Sequence, residues 1–247
     1  MKNLKPVQRI SNAWHGLIDR PQDAFFDQHK LLSKIKVENI FDIGANVGDT
    51  VDRYTRLFPE ATVYAFEPFP GTFDKLQARF SGNKLVKPVQ SAVSNVDGRK
   101  NFNILKHAAS HSLLLPAEGA GKWMYPQADE NAVEVTGEIE VPVTKIDSFC
   151  KKEAIGEIHI LKLDIQGGEL MALEGAKGKL RQGVIPLIYT ELLFVPIYAG
   201  QAYYYNVCSI LAEYGYRLFN LYGCAYTADR QIKWCDAIFI NYHVATS

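Results

Sequence analysis

The stretch from residue 40 to residue 50 reads Ile-Phe-Asp-Ile-Gly-Ala-Asn-Val-Gly-Asp-Thr, and it restricts the possible folds more than any other part of the chain. Residues 40–43 form a short apolar run closed by a glycine, the pattern of a buried parallel strand. Gly44, Ala45, Asn46 and Gly48 keep the following turn small, so that a ligand can come close to backbone N–H groups. Residues 47–58 carry helical spacing, with Val47, Val51, Tyr54 and Leu57 or Phe58 on one face. Residues 62–66 predict the next strand, and Glu67 stands just past its end. Strand, glycine turn, helix, strand and acid make a mononucleotide-binding βαβ unit. The helix N-terminus offers N–H donors and a partial positive charge. The acid can accept two ribose hydroxyls, and its offset from the first glycine, 67 − 44 = 23 residues, fits the usual spacing of about 20.

The details of the turn select the ligand. A dinucleotide fingerprint is G-x-G-x-x-G, shaped for a pyrophosphate. Here the pattern is Asp42-x-Gly44-x-Asn46-x-Gly48. An acid ahead of the turn repels a pyrophosphate and attracts an ammonium or a sulfonium. S-adenosylmethionine carries both cations, a carboxylate for the helix N–H groups and a ribose for Glu67. The missing G-x-G-x-x-G argues against a nicotinamide oxidoreductase.

Four segments then follow in order: residues 41–50, Ala-Phe-Glu-Pro at 65–68, Ser-Ala-Val-Ser at 91–94, and Leu-Lys-Leu-Asp-Ile-Gln-Gly-Gly-Glu at 161–169. Together they resemble the FkbM family of S-adenosylmethionine-dependent methyltransferases, over about residues 37–221. The resemblance implies an α/β fold: a single doubly wound, mostly parallel seven-stranded sheet of the class I methyltransferase (Rossmann-like) type. It also implies O-methylation of a sugar, glycan or natural-product hydroxyl. Adenine in that fold lies near the turn holding Ser91 and Ala92. The cofactor set implied here is Asp42, Gly44, Ala45, Asn46, Gly48, Thr50, Glu67, Pro68, Ser91, Ala92 and Asp164. One departure stands out. Members of the family often carry Asp-x-Glu-Gly where this chain has Asp164-Ile165-Gln166-Gly167, so no charged role passes to Gln166.

The chain has 247 residues, 47% apolar, enough for one core. Its 27 Lys plus Arg balance 27 Asp plus Glu, and nothing in that balance calls for a nucleic-acid backbone. Amino-group methylases of nucleic acids commonly carry an Asn/Asp-Pro-Pro-aromatic motif after the fourth strand, and residues 164–167 do not. Cys150, Cys208, Cys224 and Cys235 lack C-x-x-C spacing. No apolar run is long enough to span a membrane, and with no leader pattern the expected location is cytoplasmic. Residues 1–36 predict a helical extension with Trp14, Leu17, Ile18, Phe25 and Phe26 as packing groups. The methyltransferase domain occupies 37–247, with a β-rich insertion at about 98–143. Within it Asp97-Gly98 signals a hairpin, and residues 106–138 are too long for a plain loop, which predicts a segment over the acceptor pocket. Thr144 is expected to cap a helix over 144–150.

Methyl transfer to a hydroxyl needs alignment and a group that takes the proton. Ligands in open α/β sheets gather at the carboxyl ends of the strands. Asp164, ending a strand over 158–165, and Glu191, just beyond one over 185–189, are therefore catalytic candidates. Lys162 shares a strand face with Asp164 and either pairs with it or lines the cleft. His111 is a base candidate because histidine titrates near neutrality; His107 and His29 rank below it. Trp123, Tyr125, Tyr198 and Tyr203–Tyr205 are candidates for stacking on a sugar. Two other functions remain open: a metal-dependent catechol-type O-methyltransferase with Asp164 and Glu191 as ligands, and a non-catalytic S-adenosylmethionine-binding protein. No third ligand follows Glu191, so no metal site is assigned and the favoured route is metal-free, with His111 or Asp164 taking the proton.

Overall fold

The computed structural model describes residues 23–107, 110–124 and 133–241. Trp14, Leu17, Ile18 and Tyr125 fall outside these residues. A seven-stranded sheet has the order β3-β2-β1-β7-β8-β10-β9. Its members are β1 (Asn39–Ile43), β2 (Thr62–Phe66), β3 (Val86–Val89), β7 (Ile160–Leu163), β8 (Leu187–Leu193), β9 (Arg217–Tyr226) and β10 (Ile232–Ile240). A three-stranded sheet, β4-β6-β5, consists of β4 (Ala92–Val93), β5 (Gly98–Leu105) and β6 (Val135–Thr144). The first five strands of the large sheet run parallel, and β10 is antiparallel to both of its neighbours. This is the order expected of a class I methyltransferase fold.

The parallel strands are buried because helices cover both faces. Ile40, Phe41 and Ile160 are fully inaccessible, and each such side chain contributes roughly 1.5–3 kcal/mol. Helices α1 (Ala24–Leu31), α2 (Asp49–Leu57) and α3 (Pro70–Arg79) stand with the β1–β3 half. Asp23 caps α1 through its side chain, accepting from the Phe25 N–H. That helix is fixed at three points: Phe25 packs on Tyr54 and Tyr189, Tyr54 Oη donates to Gln28 Oε1 at 3.0 Å, and Tyr222 Oη donates to Asp27 Oδ2 at 2.7 Å. On the other side lie α5 (Ile146–Lys152), α6 (Glu169–Glu174), α7 (Lys177–Gln182) and α8 (Tyr204–Glu213), with the short α4 (Gly121–Met124) in the segment before β6.

Three expectations are corrected. Asp97-Gly98 does not make a hairpin, because β6 lies between β4 and β5. Asp97 instead receives the Lys145 N–H at 2.8 Å and the Ser148 hydroxyl at 2.7 Å, so it supports the start of α5. Thr144 is the last residue of β6 rather than a helix cap. Glu191 lies inside β8 rather than beyond it, because pairing with β10 extends the strand and sets Glu191 opposite Asp236.

Candidate active site

Two turns meet at the carboxyl ends of β1 and β7. Gly44 has φ +81°, and a Cβ there would stand 1.9 Å from the Asp164 carbonyl oxygen. Only glycine permits both that conformation and that approach. Gly48 has φ +90° and serves packing: a Cβ would fall 2.4 Å from the Phe80 ring. Lys162 lies beneath the turn, 6% exposed, with its ammonium 2.9 Å from Asp42 and 3.6 Å from Asp164. It also donates to the Gly44 carbonyl at 3.0 Å. Burial alone would depress the lysine, but Asp42 and then Asp164 outweigh it and leave the ammonium well above its ordinary value. Lys162 thus ties β7 to the turn instead of lining the cleft.

The carboxyl ends of the strands border a cavity of about 240 Å³. Glu67 faces it, 8% exposed; its Oε2 accepts the Asn46 N–H at 3.1 Å and its Oε1 the Phe69 N–H at 2.9 Å. Burial pushes this carboxyl up to about 7 against the pull of those two N–H groups. Gly44, Asn46, Pro68, Ser91, Ala92 and Asp164, all anticipated from the sequence, also line the cavity. Asp42, Ala45, Gly48 and Thr50 do not line it. Strand alternation turns Asp42 inward, where it is fully buried against Lys162 and is no free partner for an ammonium. Thr50 borders a smaller chamber with Lys162, Tyr189 and Asp236.

The catalytic candidates separate. His111 lines the same cavity, but its Nδ1 accepts the Leu105 N–H at 3.1 Å and its ring packs edge-on against Phe69 and Phe102. Burial, then His107, lowers its affinity for a proton. Asp164 Oδ1 accepts from Gln166 Nε2 at 2.9 Å. Glu191 is half-buried in the cavity wall, and no side chain among the described residues hydrogen-bonds its carboxyl. Burial first, then the charges of Asp164, Glu169 and Asp236, hold it well above the ordinary carboxylate range. His29 packs on Phe58, away from the cavity. Of the aromatics, Tyr198 lines a neighbouring cavity with Glu191 and Gln166, Trp123 packs against the cluster that holds Tyr198, and Tyr204 stacks on Phe194.

Gln166 in the β7–α6 turn and Glu169 at the start of α6 carry more than their sequence positions suggested. Gln166, at φ +56°, accepts from Tyr198 Oη at 2.6 Å through its amide oxygen while its nitrogen holds Asp164. Glu169, buried, accepts the Ile165 and Gly167 N–H groups at 3.0 and 3.3 Å. The acid five residues after Asp164 was the available signal for Glu169.

The Methyltransferase FkbM domain model matches residues 42–218. The chain belongs to the FkbM methyltransferase family. Among curated relatives of this family member, 31-O-demethyl-FK506 methyltransferase FkbM of Streptomyces tacrolimicus is 28% identical over 153 residues, covering 56% of this chain and 59% of that protein. Methyltransferase sdnD of Sordaria araneosa is 27% identical over 155 residues, 55% and 59% of the two chains. Methyltransferase 1 of Beauveria bassiana is 24% identical over 144 residues, 55% and 57%. The matched region spans under three fifths of each of these relatives.

Proposed function

We propose that this FkbM-family chain transfers the methyl group of S-adenosylmethionine to a hydroxyl of a small molecule, drawn from sugars, glycans and natural products, without a metal. The observation that carries the reading is Glu191: a poorly hydrated carboxyl, lacking a hydrogen-bond partner among the described side chains, that borders two cavities at once. The residues of the larger cavity fit the cofactor. Glu67, with both oxygens anchored by backbone N–H groups, suits a diol that donates two hydrogen bonds. Ser91, Ala92, Phe102 and His111 make a wall for a flat base. The Gly44 turn and Asp164 take the amino-acid end.

When bound, the cofactor supplies an electrophilic methyl on a sulfonium: the new C–O bond forms as the C–S bond breaks, and the sulfur keeps the electron pair as a neutral thioether. Glu191 takes the hydroxyl proton on its carboxylate. A carboxyl with a raised proton affinity is a better base for an alcohol than an ordinary one, and a neighbouring sulfonium favours its ionised form. Asp164, held by Gln166 and Lys162, fixes the geometry of the β7 end. This assigns the base role to Glu191 rather than His111 or Asp164. Asp164 and Glu191 remain the pair a metal-dependent mechanism would use, yet among the described residues no three His, Cys, Asp or Glu side chains are grouped to hold an ion.

Calorimetry with S-adenosylhomocysteine and with NAD tests the cofactor, and turnover of a hydroxylated-metabolite panel tests the chemistry. Binding of the first ligand only is expected. Glu191→Gln should then lower kcat by roughly 10²–10⁴ with cofactor affinity retained. Tight NAD binding ends the reading, and activity lost to chelator and restored by magnesium ends the metal-free route.

A further inference from the structure

A second cavity, of about 200 Å³ and half-open to solvent, lies on the far side of Glu191 and Gln166 from the cofactor cavity. Sheet register builds its main wall. Leu193 pairs directly with Trp234 across β8 and β10, just as Glu191 pairs with Asp236. Period two places Glu191 and Leu193 on one face, so the acid and the apolar wall adjoin. Ile197, Tyr198 and Met124 complete the carbon lining. Leu193, Ile197 and Tyr198 are themselves packed with Val195 into a buried cluster, each at most 3% exposed.

The polar side of this cavity holds His107, Ser110, Gln166 and the Tyr198 hydroxyl, and each of them already has an interaction partner. Tyr198 Oη donates its proton to Gln166, and the Gln166 amide uses its nitrogen on Asp164. Ser112 Oγ donates to the Gln166 carbonyl at 2.7 Å. Among the described residues, Gln166 and Glu191 line both cavities, and of those two Glu191 carries the carboxyl. A sugar placed here would bury several hydroxyls, and each without a partner costs roughly 1–3 kcal/mol. One hydroxyl, aimed at Glu191, costs nothing of that kind. An apolar cavity near 150 Å³ holds a benzene ring, so about 200 Å³ holds a six-membered ring with a small substituent.

We propose that this second cavity is the acceptor subsite and that it selects a largely apolar ring bearing one reactive hydroxyl, with Leu193 and Trp234 as its specificity-determining walls. The proposal rests on Glu191 acting as the base, and it narrows the acceptors proposed above to those that present such a ring, which excludes a fully hydroxylated sugar ring from this cavity. A larger acceptor enters by this ring alone and leaves the remainder in solvent.

The test uses the full chain saturated with S-adenosylhomocysteine and, as probes, cyclohexanol, benzyl alcohol and methyl glucoside, followed by saturation-transfer NMR. The two ring alcohols are expected to bind and methyl glucoside to give no signal. Leu193→Trp, which fills the cavity, should weaken the ring alcohols about tenfold or more while calorimetry shows cofactor-product binding intact. If that variant misfolds, Trp234→Ala decides, with the same direction expected. Methyl glucoside binding as well as cyclohexanol overturns the proposal. So does ring-alcohol binding unchanged in both variants, or no ring-alcohol binding to loaded protein. Failure of S-adenosylhomocysteine itself to bind overturns the cofactor reading instead, and this proposal with it.

Discussion

The two ends of the large sheet are built by different means. At the β3-β2-β1-β7 end, backbone meets backbone: the Gly44 turn lies against the Asp164 carbonyl, and Glu67 and Glu169 each hold two loop N–H groups. At the β8-β10 end and in the segment between β5 and β6, the site is made by side chains: Trp234 against Leu193, Tyr198 to Gln166, Ser112 to Gln166. The first arrangement tolerates little and suits an invariant ligand. The second can be re-cut one side chain at a time and suits a variable one.

Gly44→Ala should give the largest effect. Backbone strain in the left-handed region and overpacking each cost about 1–3 kcal/mol, about 4 together, a fall in Tm on the order of 10 °C. Thermal melts and cofactor calorimetry check it, and a stable, binding-competent variant would remove the contrast between the two ends. Glu169→Ala leaves the Ile165 and Gly167 N–H groups without their carboxylate, at roughly 1–3 kcal/mol each; chemical denaturation should show a loss of about 2–4 kcal/mol.

The third prediction concerns protons. Glu67 is raised to about 7 by burial in the free protein, whereas the ribose hydroxyls donate to its ionised form. As pH falls through about 7 the carboxyl must first lose a proton before it can accept them. Affinity for S-adenosylhomocysteine should therefore decline below pH 7, approaching tenfold per unit, and Glu67→Gln should flatten that dependence. A flat profile in the unaltered protein would place the ribose elsewhere. Ser112→Ala should have the smallest effect: two hydrogen bonds, to the Gln166 carbonyl and from the Leu114 N–H, give about 1–2 kcal/mol, read as a raised acceptor KM with cofactor affinity unchanged. A loss as large as that of Gly44→Ala would show that the side-chain end is no more tolerant than the other.

The same contrast explains what could be read in advance. Glycines at 44 and 48, the acid at 67 and the apolar strands around them are local signals, because backbone conformation and strand burial are encoded within a few residues. The site lining at Glu67, Ser91, Ala92 and Asp164 was legible for that reason. Asp42 does not line the cavity; its partner, Lys162, lies 120 residues away, and only sheet register brings the two together. The role of Gln166 depends on Tyr198, and the cavity wall depends on Trp234 opposite Leu193; neither pairing leaves a pattern in the sequence. Glu191 was expected just beyond its strand, but pairing with the antiparallel β10 carries β8 on to Leu193 and sets Glu191 inside it.

The strand order also sets a condition on when the sheet can close during synthesis. β10 is the last of the seven strands to be synthesised, yet it stands between β8 and β9. Until it emerges, β9 has no neighbour in the sheet and Leu193 has no Trp234. Domains generally fold as units, so the sheet closes only once β10 is available. A nascent chain stalled after β9 would therefore lack the strand that joins β8 to β9.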